Sequence, residues 1–218
     1  MINGPNMLFD AQDAPLTLPA GVIYRPCAFD GAAQATLLQA LEFIIKDAPP
    51  VQARTKGGGT TSAAMTNSGR AGWWSDARGY RYQTHRPDSA EPWPAMPAAF
   101  LEAVRDAMAP TPWPDFAPDA CLINYYGPSA KMGLHQDRNE KDLTQPILTL
   151  CLGDDADFMI GGFSRSDKSM PIVVRSGDAL ILGGDARMRF HGIRKIYPNT
   201  SPLSAVAGRY SLTFRKAL

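Results

Sequence analysis

The 218-residue sequence has no apolar run near the roughly 18 residues that a membrane-crossing helix needs. Its longest early candidate, Leu37 to Ile45, is broken by Gln39 and Glu42. No membrane partner is therefore expected. The opening residues, MINGPNMLFDAQDAP, hold acids and no basic cluster. They do not read as a secretory leader, so the expected location is cytoplasmic. Cysteine is scarce: Cys27, Cys121 and Cys151 are the only three, and no two form a CxxC pair. That excludes a disulfide framework and a structural zinc site, and it predicts buried, reduced thiols. An excess of one charge is also lacking. Lys and Arg number 22 against 21 Asp and Glu, a net charge of +1. A basic coat over the whole chain is excluded, although a local basic face is not. There is no internal repeat and no low-complexity tract. Histidine is rare as well, with three in all.

What is present is globular in composition, with 44% apolar and 20% charged residues. Nineteen Gly and 19 Pro argue against a helical bundle. Residues 1–20 read as a loosely packed arm. Val22-Ile23-Tyr24 reads as a short strand. Asp30 reads as the N-cap of an amphipathic helix that ends before Pro49-Pro50. Residues 51–95 are polar and Gly-punctuated. Between Arg54 and Arg86 they carry six Lys or Arg and one acid, Asp76, interleaved with Trp73, Trp74, Tyr80 and Tyr82. A second helix is expected from about Pro97 to Met108. From Asp119 onward short apolar runs alternate with turn residues. They fall at 121–126, 147–152, 158–160, 172–174, 179–182, 188–191 and 210–214. The expected fold class is α+β, mainly β: a single domain, 1–218, with a jelly-roll core over 119–218. Helical bracing and a lid precede it over 20–110, the lid itself at about 51–95.

The chemistry concentrates in the β-rich half. His135-Gln136-Asp137 is an H-x-D, and in a strand its first and third residues share a face. His191 follows 54 residues after Asp137. Two imidazoles and one carboxylate on one face form the facial triad of non-haem Fe(II) oxygenases, with coordination positions left open. An isolated H-x-D is also compatible with a structural or solvated histidine. The run Arg209-Tyr-Ser-Leu-Thr-Phe-Arg215 adds a second element. Read as a strand, it puts Arg209, Ser211, Thr213 and Arg215 on one face and Tyr210, Leu212 and Phe214 on the other. Buried arginines need anions and suit carboxylates bidentately. Asp137 can take one of them, and a dicarboxylate ligand would account for the other. Taken alone, the run is equally two solvated arginines on an edge strand.

With these motifs in this order, the sequence resembles the AlkB-type Fe(II)/2-oxoglutarate dioxygenases that repair alkylated nucleic acids, and is similar to the bacterial members in particular. The resemblance covers about Pro19 to Arg215. It is densest at AMTNSGRAGWW (64–74), WPAMP (93–97), PDFAPDACLINYYGPSAKMGLHQDRNE (114–140), GGDARMRFHGI (183–193) and RYSLTFR (209–215). It implies a double-stranded β-helix that uses Fe(II), 2-oxoglutarate and O₂. His135, Asp137 and His191 would hold the iron. Arg209 would bind the distal carboxylate of 2-oxoglutarate, with Tyr126 as a hydrogen-bond partner. Arg215 and Asn124 would serve the iron-proximal end. Trp73 would stack on the flipped base opposite His135. Thr55, Met65 and Tyr80 would belong to the recognition lid, and Arg165 would contact the substrate strand. The reaction implied is hydroxylation of an N-alkyl group on bases such as 1-methyladenine and 3-methylcytosine, coupled to 2-oxoglutarate decarboxylation, with loss of formaldehyde. The implied partner is alkylated single-stranded DNA, with RNA and duplex DNA as further candidates, and the protein is expected to be a monomer.

Two positions depart from the family pattern. Ser211 stands where Asn is usual in the final strand. Asn139 stands where the family places an Asp that faces a cationic methylated base. Glu140 is a candidate to restore that charge. The basic, aromatic segment over 54–86 fits nucleic acid without the family, because cations neutralise phosphates and aromatic faces stack unpaired bases. Residues 187–218 add seven Lys or Arg and no acid. Trp74 and Tyr82 read instead as packing residues, and His85 as a surface residue. Rival readings are a related oxygenase acting on RNA, protein or a small molecule, a non-catalytic reader of alkylated bases, and a zinc hydrolase.

Overall fold

Alternation along the sequence gives the central strands of the large sheet one face for the helices and one for a cavity. The computed structural model describes residues 17–55 and 57–218. Most of the arm expected over 1–20 lies outside the described residues. Among the described residues, twelve strands and two α-helices occur in the order β1 (Val22–Arg25), α1 (Gly31–Asp47), β2 (Ala64–Gly69), β3 (Gly72–Asp76), β4 (Gly79–Gln83), α2 (Ala98–Met108), β5 (Ala120–Tyr126), β6 (Met132–His135), β7 (Ile147–Gly153), β8 (Asp155–Ile160), β9 (Met170–Val174), β10 (Ala179–Leu182), β11 (His191–Tyr197) and β12 (Arg209–Arg215). A six-stranded antiparallel sheet runs β1-β10-β7-β12-β5-β2, and a four-stranded one runs β6-β11-β8-β9. Strands β3 and β4 form a separate hairpin. This is the jelly-roll architecture expected from the sequence. Among the described residues, no helix is long and apolar enough to cross a membrane.

The two helices cover the outer face of the large sheet. Asp30 caps α1, its Oδ1 accepting from the Ala33 amide at 2.8 Å. Leu37, Leu41 and Ile44 then line one helix face at i, i+4, i+7 spacing, while Phe43 points to solvent. Phe100, Val104 and Met108 do the same on α2. These six pack with Cys121 and Ile123 of β5, Leu148, Leu150 and Leu152 of β7, and Leu212 and Phe214 of β12 in one buried cluster. The residues between them on the same strands point the other way, into the space between the sheets. They include Asn124, Tyr126, Thr149, Cys151, Arg209, Ser211, Thr213 and Arg215. The alternation expected for 209–215 is therefore present as read.

Four differences from the sequence reading matter for function. The polar segment 51–95 is not lid alone: β2 pairs with β5 over six residues and forms an edge of the large sheet. Its buried Thr66 and Asn67 satisfy themselves against the backbone of Ala48 and Trp73. The run expected as a strand over 188–191 begins at His191 instead and continues to Tyr197. Asp137 is not in a strand, because β6 ends at His135 and Asp137 follows in a loop. Cys27 is exposed, whereas Cys121 and Cys151 are buried free thiols as expected.

Candidate active site

Two strands of the small sheet bring the histidines together. His135 at the end of β6 and His191 at the start of β11 are register partners. A Cβ on Gly192 would meet the Met132 carbonyl oxygen at 2.5 Å, so only glycine lets β11 lie this close to β6. The imidazole centroids are 4.5 Å apart. Asp137 reaches the same point from the loop. One ligand atom from each of His135, Asp137 and His191 lies within 4.8 Å of the others. Asp137 Oδ1 is 3.8 Å from His135 Nε2, and Oδ2 is 3.6 Å from His191 Nε2.

Backbone carbonyls prepare both rings. His135 Nδ1 is 3.0 Å from the Gly133 oxygen, and His191 Nδ1 is 3.0 Å from the Arg189 oxygen. A ring that donates Nδ1–H to a carbonyl keeps its Nε2 lone pair for a metal. Burial and the neighbouring His191 push the His135 pKa down to about 4, so that ring carries no positive charge at neutral pH. Phe158 stacks on His191 at 5.7 Å between centroids. Burial opposes the charge on Asp137, but Arg215, His191 and His135 together hold its carboxyl well below the usual range. Arg215 Nη2 donates to Asp137 Oδ2 at 2.7 Å. Two imidazoles and one ionised carboxylate, open on the cavity side, form a donor set suited to Fe(II).

Behind the triad lies a cavity of about 640 Å³. All fourteen residues singled out from the sequence line it: the triad, Asn124, Tyr126, Arg209, Ser211, Arg215, Thr55, Met65, Trp73, Tyr80, Asn139 and Arg165. Strand β12 supplies the deep wall. Arg209 faces Tyr126 and Gly153 across its neighbours, and Ser211 faces Asn124 and Cys151. Arg209 is 1% exposed. Its Nη1 donates to the Asp154 and Val174 carbonyls at 2.9 and 3.2 Å, but its Nε has no acceptor. Arg215 Nη1 and Asn124 Oδ1 are likewise buried without a partner. Buried donors left open on two guanidiniums fit an anion with two carboxylates, and 2-oxoglutarate is one. Burial raises the Tyr126 phenol pKa, which keeps it a donor.

The mouth is built by the hairpin and the loop after β6. Trp73 stacks on the exposed Tyr80 at 5.4 Å between centroids, and its Nε1 donates to Asn139 Oδ1 at 3.2 Å. Arg165 lies over Phe190 at 5.4 Å. Lys131 and Arg138, which the sequence reading passed over, are exposed and also line the cavity. Their only sequence signal is proximity to the H-x-D.

The basic residues counted from sequence behave differently. Arg78 and Arg81 are bound to Asp76, and Arg86 to Asp88. In the second basic region Arg187 is bound to Glu140, Arg194 to Asp157 and Lys216 to Asp119. Cation count along the chain therefore overstated what is available to phosphate.

Glu140 does not stand in for the charge missing at Asn139. It is buried; Tyr82 Oη donates to Oε1 at 2.7 Å, Arg187 Nη2 donates to Oε2 at 2.9 Å, and Arg215 Nε lies 3.4 Å from Oε1. Through Arg215 it braces Asp137, and Arg187 also donates to the Asp137 backbone oxygen at 2.7 Å. Sequence reasoning missed this role for Glu140, Arg187 and Tyr82. Glu140→Ala is expected to lower unfolding free energy by about 3–5 kcal/mol, because it strands buried Arg187. Urea unfolding checks this, and a loss under about 1 kcal/mol would contradict it.

Comparison with known proteins agrees with the geometry. The family profile described as the 2OG-Fe(II) oxygenase superfamily matches residues 21–215. The chain is 41% identical over 213 residues to the alpha-ketoglutarate-dependent dioxygenase AlkB of Escherichia coli, covering 97% of each. It is 38% identical over 112 residues to the DNA N(6)-methyladenine demethylase ALKBH1D of Arabidopsis thaliana, covering 47% of this chain and 25% of that one. A solved structure titled "The structure of OsALKBH1" superposes with a TM-score of 0.79 at 28% identity, over 92% of this chain and 99% of that one. The chain belongs to the 2OG-Fe(II) oxygenase superfamily and, within it, to the AlkB-type dioxygenases, which work with Fe(II), 2-oxoglutarate and O₂.

Proposed function

We propose that this protein removes N-linked alkyl groups from nucleic acid bases by oxidation, and so repairs alkylation damage, with 1-methyladenine and 3-methylcytosine among its lesions. The observation that carries the reading is one continuous cavity. It joins a His₂Asp triad, two buried arginines with open donors, and an aromatic mouth rimmed by Lys131, Arg138 and Arg165. A protein or small-molecule oxygenase shares the first two features and has no use for the third. Alkylated single-stranded DNA is the proposed partner, with RNA and duplex DNA as further substrates. The relative ALKBH1D, by its name a DNA demethylase, supports nucleic acid. The protein is proposed to act in the cytoplasm as a monomer, since one chain supplies every wall of the cavity described here.

In this reading His135, Asp137 and His191 hold Fe(II). With 2-oxoglutarate and O₂, the iron supplies oxidative decarboxylation coupled to hydroxylation of the alkyl carbon. The protein's part is geometry. Arg209 and Tyr126 hold the distal carboxylate at depth, with Ser211 beside them. Arg215 and Asn124 flank the end nearer the triad. Asp137 stays ionised because Arg215 faces it. Reaction at a ring nitrogen requires the base to leave its stack, and Trp73, Tyr80, Met65 and Thr55 line the place it would enter. Lys131, Arg138 and Arg165 meet phosphates. The β3–β4 hairpin within 51–95, whose Trp73 and Tyr80 line the cavity, closes water out above the core.

The test uses protein loaded anaerobically with Fe(II), then given 2-oxoglutarate, ascorbate, O₂ and a short single-stranded oligonucleotide carrying 1-methyladenine or 3-methylcytosine. Loss of the methyl mass, matched by succinate and formaldehyde and absent without 2-oxoglutarate, is the expected result. Succinate with no methyl loss would move the substrate away from nucleic acid. Neither product would remove the oxygenase reading.

A further inference from the structure

We propose that the base pocket favours neutral lesions that carry a carbonyl at C4 of a pyrimidine or C6 of a purine over cationic lesions that carry an amino group at that position. 3-Methylthymine and 1-methylguanine belong to the first class; 3-methylcytosine and 1-methyladenine belong to the second. This rests on the nucleic acid dealkylase reading and refines its substrate class.

The first observation is the orientation of Asn139. An indole N–H can only donate, so the amide atom facing Trp73 Nε1 at 3.2 Å is the oxygen. That bond occupies one lone pair of Oδ1 and leaves both Nδ2 hydrogens without a protein acceptor among the described residues. Asn139 therefore has donors in surplus at the mouth of the base pocket. A carbonyl at C4 of a pyrimidine or C6 of a purine accepts from such a group, whereas an exocyclic amine at that position competes with it as another donor.

The second observation is charge. Among the described residues that line the cavity, Asp137 is the one carboxylate, set against Lys131, Arg138, Arg165, Arg209 and Arg215. Asp137 is already bound by Arg215. Glu140, the adjacent acid, is buried and held by Arg187, Tyr82 and Arg215. No free anion faces an entering base, so a fixed positive charge on the lesion finds no counter-charge. Alkylation at N3 of thymine replaces a proton and leaves a neutral ring, which has no such requirement.

3-Methylthymine and 3-methylcytosine share the position of the N-methyl carbon and differ at C4, and 3-methylthymine carries a 5-methyl group in addition. The test competes them in one single-stranded sequence context and compares the parent with Asn139→Asp. The parent is expected to process 3-methylthymine with the higher kcat/KM. Asn139→Asp is expected to move the ratio toward 3-methylcytosine by at least about tenfold, the effect of one hydrogen bond to a charged group. Binding of the same two oligonucleotides to metal-free protein, read by fluorescence anisotropy, should shift the same way. The ratio is insensitive to the fraction of folded enzyme. A parent that prefers 3-methylcytosine, or a ratio that Asn139→Asp moves less than twofold, would overturn the inference while leaving dealkylation intact. If neither lesion loses its methyl group, the dealkylase reading falls and takes this preference with it.

Discussion

Asp137→Ala should lower turnover by more than about 100-fold while leaving the protein folded. Groups that merely orient metal ligands already cost about 10- to 100-fold when removed, and the role proposed for Asp137 is to supply a ligand atom itself. The fold is expected to survive because Arg215, which loses its 2.7 Å contact, keeps Glu140 at 3.4 Å. The effect should therefore appear in metal binding rather than in unfolding. Titration of Mn(II) or Co(II) into metal-free protein should show a large loss of affinity in the variant, with oligonucleotide binding nearly unchanged. Asp137→Asn separates charge from shape. It keeps an oxygen in place but leaves Arg215 facing a neutral group, and it should bind metal more weakly than the parent. Retained affinity and turnover in the alanine variant would remove Asp137 from the metal site.

The convergence of His135, Asp137 and His191 was legible in the sequence, but the scaffold that brings them together was not. Residue types and order identify His135, Asp137 and His191. The strand expected to carry the first two stops at His135, because the loop after it is held from outside. Arg187 grips the Asp137 backbone and Arg215 its side chain, from 50 and 78 residues away. No local pattern encodes such contacts. Strand β12 was fully legible because its two faces differ in chemistry at every position. Strand β2 was not, because AMTNSG lacks an apolar alternation. It is stabilised by pairing with β5 and by hydrogen bonds from Thr66 and Asn67 to distant backbone. The same limit explains Glu140. Sequence places it beside Asn139 and suggests a shared task, yet successive residues in a loop can face opposite ways. Asn139 meets the lid, while Glu140 turns inward to three partners. Charge counting failed for a related reason, since acids close by in space consume most of the counted arginines.

Arg209→Met should raise the KM for 2-oxoglutarate by roughly 30-fold to a few thousandfold. Removing one partner of a buried, hydrogen-bonded charge pair costs about 2–5 kcal/mol, and each 1.4 kcal/mol is about tenfold. Methionine keeps much of the side-chain volume, so the wall formed with Tyr126, Cys151 and Ser211 should stay packed. The two carbonyls that Arg209 Nη1 now satisfies, those of Asp154 and Val174, lose a donor, and some stability should go with them. That loss cannot mimic the kinetic result, because misfolding lowers kcat at every 2-oxoglutarate concentration. A binding defect instead raises KM and lets kcat recover at saturation. Arg209→Lys tests geometry against charge. Its ammonium is a single point rather than a fork, so it should fall between parent and methionine variant. If Arg209→Met left KM within a few-fold of the parent, the distal carboxylate would lie elsewhere. Arg209 would then be a structural cation tying the β7–β8 turn at Asp154 to β9 at Val174, and the unpartnered Nε would have to find its acceptor in water.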